Sequence, residues 1–196
     1  MNLANKLTII RIFLVPIFLI FIAIKDIPYG AIIATFVFII ASLTDKLDGY
    51  IARTRNQVTS FGKLMDPLAD KMLVTAALIS LVESGIIPGW IAVIIIAREF
   101  AVSGLRTISA AEGLVIAASK WGKVKTVIQI VAIISALLEF NFHIYPEFAN
   151  KFLNFLYINS LFSTLTDILL AAAVIITVIS GVDYFIKNKN VIKTEK

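Results

Sequence analysis

Cysteine is absent from the 196 residues, so no disulfide and no thiolate metal site can form. There is a single histidine, His143, far in the chain from the acidic residues that turn out to matter, which argues against a histidine-based relay or metal centre. Charge is scarce at 16% of residues. Uninterrupted apolar stretches long enough to cross a bilayer are scarce as well. Runs such as Ala31–Thr44, Met72–Val82, Ile86–Ala97, Val124–Leu138 and Ile168–Val182 fall short of the roughly 20 residues a spanning helix needs. No internal repeat or low-complexity segment is visible.

What remains is very apolar. Hydrophobic residues make up 59% of the chain and the mean hydropathy is +0.93, which places it in a membrane and, at this length, in one domain. The turns missing from the short apolar runs must then be the polar ones beside them, at 45–53, 62–71 and 98–106. Such turns cannot face lipid, so they are expected to face one another around a hydrated cavity. This predicts an all-α integral membrane protein of six transmembrane helices around a polar cavity open to the cytoplasmic side. The spans fall near 7–25, 30–55, 60–83, 87–111, 121–140 and 162–186. The first lacks a small-residue cleavage site and reads as an anchor. Asp26-Ile27-Pro28-Tyr29-Gly30 reads as a turn, and Glu83-Ser84-Gly85 as a stop.

Six spans put nearly all lysines and arginines on one side, with Lys25 and Lys151 on the other. The positive-inside rule then places both termini and the polar turns in the cytoplasm. The net charge of +5 is spread between apolar spans, which suits lipid headgroups and phosphorylated substrates better than nucleic acid. Residues 141–160, with Pro146 and scattered aromatics, fit an outer loop with an interfacial segment or plain loop packing.

One stretch organises the rest. Asp45-Lys46-Leu47-Asp48-Gly49-Tyr50-Ile51-Ala52-Arg53, followed by Gly62, Asp66 and Asp70, reads D-x2-D-G-x2-A-R-x8-G-x3-D-x3-D. Residues 45, 48, 49 and 52 share one helix face, as do 62, 66 and 70. Carboxylates gathered on two neighbouring helices repel unless a cation lies among them, and hard divalent ions with oxygen ligands are the natural partner. Gly49, Ala52 and Gly62 remove bulk from those faces. Arg53 is placed to hold a phosphate oxygen. The bland alternative is a set of surface ion pairs with Lys46, Arg53, Lys63 and Lys71. A cation transporter is the rival of another class, since acids within a membrane mark ion pathways; here they cluster at one face and line no path across.

At every defined position this stretch resembles the motif of the CDP-alcohol phosphotransferases. Those are membrane enzymes that move a substituted phosphoryl group from a CDP-linked donor to an alcohol and release CMP. The resemblance implies Asp45, Asp48, Asp66 and Asp70 as ligands of one or two Mg²⁺ or Mn²⁺ ions, with Asp70 also the general base. Gly49, Ala52, Arg53, Asn5 and Thr8 would bind the donor. By spacing alone Asn5, Thr8 and Arg11 can line one face, and Arg11 fits a site or a lipid-phosphate anchor equally well. N-x2-T-x2-R in the family tips it toward the site.

A second, cationic set lies at Arg98, Arg106, Lys123 and Lys125, and suits an anionic acceptor; ordinary positive-inside flanking is the alternative. R-E-F-x-V-S-G-L-R at 98–106, A-A-S at 117–119 and G-K-x-K-T at 122–126 narrow the resemblance to the phosphatidylglycerophosphate synthase branch. That branch implies CDP-diacylglycerol as donor, glycerol 3-phosphate as acceptor bound by those four cations, a homodimer, and the plasma membrane as location. Synthases of phosphatidylserine, phosphatidylinositol or cardiolipin are the alternatives within the class. Enzymes that bind prenyl diphosphates through aspartate motifs tend to be longer and lack D-G-x2-A-R. Pro67 either kinks its helix or sits in its first turn.

Overall fold

The computed structural model describes residues 3–54, 60–111, 120–147 and 159–189, with side chains described at 6–44, 65, 67–110, 121–147 and 161–189. Six long helices account for nearly all of it: α1 Leu3–Ala23, α2 Gly30–Thr54, α3 Ser60–Glu83, α4 Gly89–Ala111, α5 Lys120–Ile144 and α6 Asn159–Lys187. No strand occurs among the described residues.

The helix ends follow from local chemistry. α1 and α2 are joined by a tight reversal in which Tyr29 takes φ 58°. Gly30 opens α2 because the backbone of α1 passes against it: a Cβ there would lie 2.6 Å from the Phe21 carbonyl oxygen. α3 stops at a Schellman turn. The Gly85 N–H donates to the Val82 carbonyl at 3.0 Å and the Ile86 N–H to the Leu81 carbonyl at 3.0 Å, with Gly85 at φ +73°, where glycine alone is unstrained. Pro67 lies inside α3, beyond its first turn. It withholds one N–H from the ladder, and the Lys71 ammonium donates to the Pro67 carbonyl oxygen at 3.0 Å.

α1 packs on α2 and α3, α2 on α5, α5 on α6, and α4 on α3 and α6. A continuous apolar core joins these helices, from Phe18 and Phe38 (centroids 6.1 Å apart) through Leu73 and Leu81 to Ile133 and Leu137. Small residues sit where helices meet: Ala34, Ala41, Ala77, Ala136 and Ala173 are all fully buried.

The outer surface is apolar. Phe13, Phe36, Ile79, Trp90, Val93, Ile168 and Ile175 are exposed, an exterior that water would not tolerate and lipid does. Among the described residues, three helical segments are long and apolar enough to cross a membrane: Lys6–Ala23, Trp121–Ile144 and Leu161–Lys187. Helices α2, α3 and α4 have 25, 24 and 23 residues, about 34–38 Å at 1.5 Å per residue, and each carries charged turns beside its apolar ones. The chain is an all-α integral membrane protein.

Polar side chains are turned inward. Asn141 of α5 donates to the Thr35 hydroxyl of α2 at 2.7 Å, Ser135 of α5 pairs with Thr166 of α6 at 2.8 Å, and Ser163 donates to Glu139 at 2.7 Å. His143 stays exposed near Glu139, four residues before it on α5. Of the stretch 141–160, residues 148–158 lie outside those described.

Candidate active site

The aspartate stretch sits on the facing ends of two consecutive helices. α2 is unbroken to Thr54, so Asp45, Asp48, Gly49 and Ala52 fall on one face of it. α3 begins at Ser60, so Gly62, Asp66 and Asp70 follow one another at single-turn intervals. The two helices pack against each other. Among the expected site residues, the side chains of Asn5, Asp45, Asp48, Gly49, Ala52, Arg53 and Asp66 lie outside those described. Asp70 is described and is half-buried.

Thr8 and Arg11 are fully buried, on the helix that packs on both α2 and α3. Arg11 therefore does not reach out to the lipid surface in the way an anchoring arginine does.

The cationic set is better defined. Lys125 of α5 has no exposed surface and is ion-paired to the Glu99 carboxylate of α4. Arg98, the residue before, has its Nη1 3.9 Å from the other Glu99 oxygen and its Nη2 donating to Ser180 Oγ of α6 at 2.6 Å. Arg106, two turns along α4, donates from Nε to the Tyr184 hydroxyl at 3.2 Å and lies over that ring at 5.5 Å. Three helices thus converge on a polar cluster in which Lys125 is enclosed, Arg98 and Glu99 are half-buried and Arg106 is exposed. The charge of Asp70 is felt at both Lys71 and Lys125, and that of Glu99 at Lys71, so the end of the aspartate stretch and the cationic cluster share one electrostatic neighbourhood.

The structure separates two lysines that sequence spacing had grouped. Lys125 is enclosed, whereas Lys123 is exposed on the outer side of α5. It also adds two residues, Ser180 and Tyr184. Both lie on the buried face of α6 that runs through Thr166, Leu170, Ala173, Thr177, Ser180 and Tyr184. The signal was present in the sequence as hydroxyl and small residues at helical spacing within an apolar span, a pattern of helix contact inside membranes. Gly181 has a matching role: a Cβ there would lie 3.2 Å from Arg98 Cγ, so its absence lets α4 and the arginine stem come close.

Among the described side chains, the arrangement offers guanidinium and ammonium groups gathered from α4 and α5 around one carboxylate, Glu99. Comparison with known proteins shows the family. Residues 1–179 match the family model of CDP-alcohol phosphatidyltransferases. A Bacillus subtilis protein named CDP-diacylglycerol–glycerol-3-phosphate 3-phosphatidyltransferase is 45% identical, over 98% of each chain. A Rickettsia bellii protein of the same name is 36% identical, over 94% of this chain and 93% of its own length. A Mycobacterium tuberculosis protein named probable phosphatidylglycerophosphate synthase is 37% identical, over 93% of this chain and 79% of its own.

Proposed function

The chain belongs to the CDP-alcohol phosphatidyltransferase family, and from that premise we propose how its residues carry out the transfer. It is a transferase that moves the phosphatidyl group from CDP-diacylglycerol to glycerol 3-phosphate, giving phosphatidylglycerophosphate and CMP. The observation that carries this is the 45% identity over nearly the whole chain to a relative bearing that activity in its name. The enclosed Lys125 and the half-buried Arg98 support an acceptor that carries a phosphate; inositol, which is uncharged, would have no use for them.

Enzymes of this family are in general divalent-cation dependent. The donor set fits such an ion: four carboxylates at one-turn spacings on two helices that pack together supply hard oxygens and no soft ligand. Asp45, Asp48, Asp66 and Asp70 would hold one or two Mg²⁺ or Mn²⁺ ions. Bound there, the metal supplies positive charge against that developing on the departing CMP.

The chain's own residues do the rest. Gly49 and Ala52 leave room for the nucleotide, and Arg53, Asn5 and Thr8 hold the donor. Arg98, Arg106 and Lys125 bind the acceptor phosphate and aim its primary hydroxyl at the lipid-linked phosphorus, while Lys123, on the outer side of α5, is left out of that set. Asp70 takes the hydroxyl proton as the new P–O bond forms and the bond to CMP breaks. Exclusion of water from the site matters, because water would otherwise attack the donor. Six spans, a site and both termini on the cytoplasmic side of the plasma membrane, and a homodimer complete the reading.

An acceptor screen with purified protein tests it. CMP release from CDP-diacylglycerol requires glycerol 3-phosphate and Mg²⁺ or Mn²⁺. Equal turnover with serine or inositol would overturn the acceptor assignment.

A further inference from the structure

Four helix ends meet at the end of the bundle opposite the aspartate stretch and enclose a cavity of about 480 Å³. α1 closes there at Ala23, α2 opens at Gly30, α3 ends at Glu83 and α5 at Ile144. From Asp70 to Glu83 along α3 is about 20 Å at 1.5 Å per residue, so the cavity lies well away from the cluster around Lys125. Its volume falls within the range of about 300–1,000 Å³ usual for sites that hold a small ligand.

The walls are of two kinds. Phe21, Ile22, Phe140 and Ile144 supply apolar surface, and Ile24 and Ile144 are exposed, as residues that face lipid are. Lys25, from the reversal after α1, and Glu83, from the last turn of α3, bring a charge of each sign into the same cavity. Ser84 lines it beside Glu83; its hydroxyl donates to the Ser80 carbonyl at 2.6 Å and keeps its lone pairs free to accept. Lys25 and Glu83 make no ion pair with each other, and neither has an ion-pair partner among the described residues. Lys25 is also the one lysine or arginine among the described residues at this end, which carries the acids Asp26, Glu83, Glu139 and Glu147. Membrane proteins keep basic residues away from one side, so a lysine there goes against the pattern of the rest of the chain.

The geometry points to a binding site in this cavity for a membrane phospholipid whose headgroup is zwitterionic, a phosphate joined to a primary ammonium. Lys25 donates to the phosphate. Glu83 and the Ser84 hydroxyl accept from the ammonium, and the apolar wall meets the root of an acyl chain. The membrane is the source, because a soluble zwitterion would have no use for that wall or for the exposed isoleucines. An anionic headgroup would satisfy Lys25 but set a second negative charge against Glu83. A quaternary ammonium would match the charges and offer no N–H to Glu83 and Ser84. The site stands apart from the reaction and does not depend on the acceptor assigned to it.

Native mass spectrometry of the delipidated full chain tests it, with phosphatidylethanolamine, phosphatidylcholine and phosphatidylglycerol of the same acyl chains added in turn. The wild type is expected to hold one phosphatidylethanolamine per chain about tenfold more tightly than either of the others, what one hydrogen bond to a charged group is worth. Lys25→Gln and Glu83→Gln each remove that preference. Both residues are exposed, so the variants keep the fold, which an unchanged thermal unfolding temperature checks. Equal binding of the three lipids by the wild type would overturn the site, and so would undiminished phosphatidylethanolamine binding in either variant. Tighter binding of phosphatidylglycerol, lost in Lys25→Gln alone, would reduce the site to a surface lysine on anionic lipid and overturn the zwitterionic assignment.

Discussion

Arg98 and Ser180 stand 2.6 Å apart, guanidinium to hydroxyl, and tie α4 to α6 inside the membrane-embedded bundle. The bond fixes the direction of a cation that the Glu99 carboxylate approaches from the other side. Hydrogen bonds from a charged group contribute about 1.5–3 kcal/mol, so this one is strong enough to decide where the guanidinium points.

Ser180→Ala releases one end of that guanidinium. The expected result is a KM for glycerol 3-phosphate raised by up to about tenfold, the equivalent of ~1.4 kcal/mol, with the KM for CDP-diacylglycerol unchanged. Gly181→Val goes further, because even a Cβ at that position would crowd Arg98 Cγ at 3.2 Å. Steady-state kinetics with each substrate varied in turn check both.

Glu99→Gln leaves the Lys125 ammonium buried without its counter-charge. Removing one partner of a buried pair costs about 3–5 kcal/mol, so the variant is expected to unfold at lower temperature in detergent and to bind the acceptor less well. Glu99→Gln with Lys125→Met removes both charges and recovers much of the stability but not the acceptor affinity. Thermal unfolding followed alongside kinetics separates the two effects.

Lys123→Ala with Lys125→Ala raises the KM for glycerol 3-phosphate far more than that for the lipid. The single variants are unequal: Lys125→Ala carries most of the effect, because Lys125 is enclosed while Lys123 is exposed and screened by water. Equal losses toward both substrates would argue against an acceptor pocket here.

The helical architecture was legible in the sequence because membrane residence leaves few options. A chain this apolar must satisfy its backbone internally, and short apolar runs flanked by polar turns leave those turns nowhere to go but inward. The two helices that carry the aspartates were legible from spacing, as was the basic character of 98–106 and 122–126. What spacing does not carry is which way a residue near a helix end points. Lys123 and Lys125 looked alike, yet two residues along a helix is about 200° of rotation, and only one of them turns toward Glu99. Ser180 and Tyr184 were hidden for another reason: their partners, Arg98 and Arg106, are about eighty residues away, and no local pattern announces a contact between distant helices. Pro67 is a third case. It lies beyond the first turn of α3, where its missing N–H leaves the carbonyl four residues back without its usual partner, a place that composition does not reveal.

Asp70→Asn is expected to abolish CMP release while leaving the protein folded. The amide is close to the carboxylate in size at a half-buried position, so the chain loses a base and an oxygen ligand and little packing. Near-normal turnover would remove Asp70 from the reaction.

Mn²⁺ binding, measured by electron paramagnetic resonance on purified protein, tests the central claim that carboxylates from α2 and α3 grip shared divalent ions. One or two bound Mn²⁺ per chain are expected, displaced by Mg²⁺, and lost alike in Asp45→Asn on α2 and Asp66→Asn on α3. Full Mn²⁺ occupancy in either variant, with the protein folded, would contradict it.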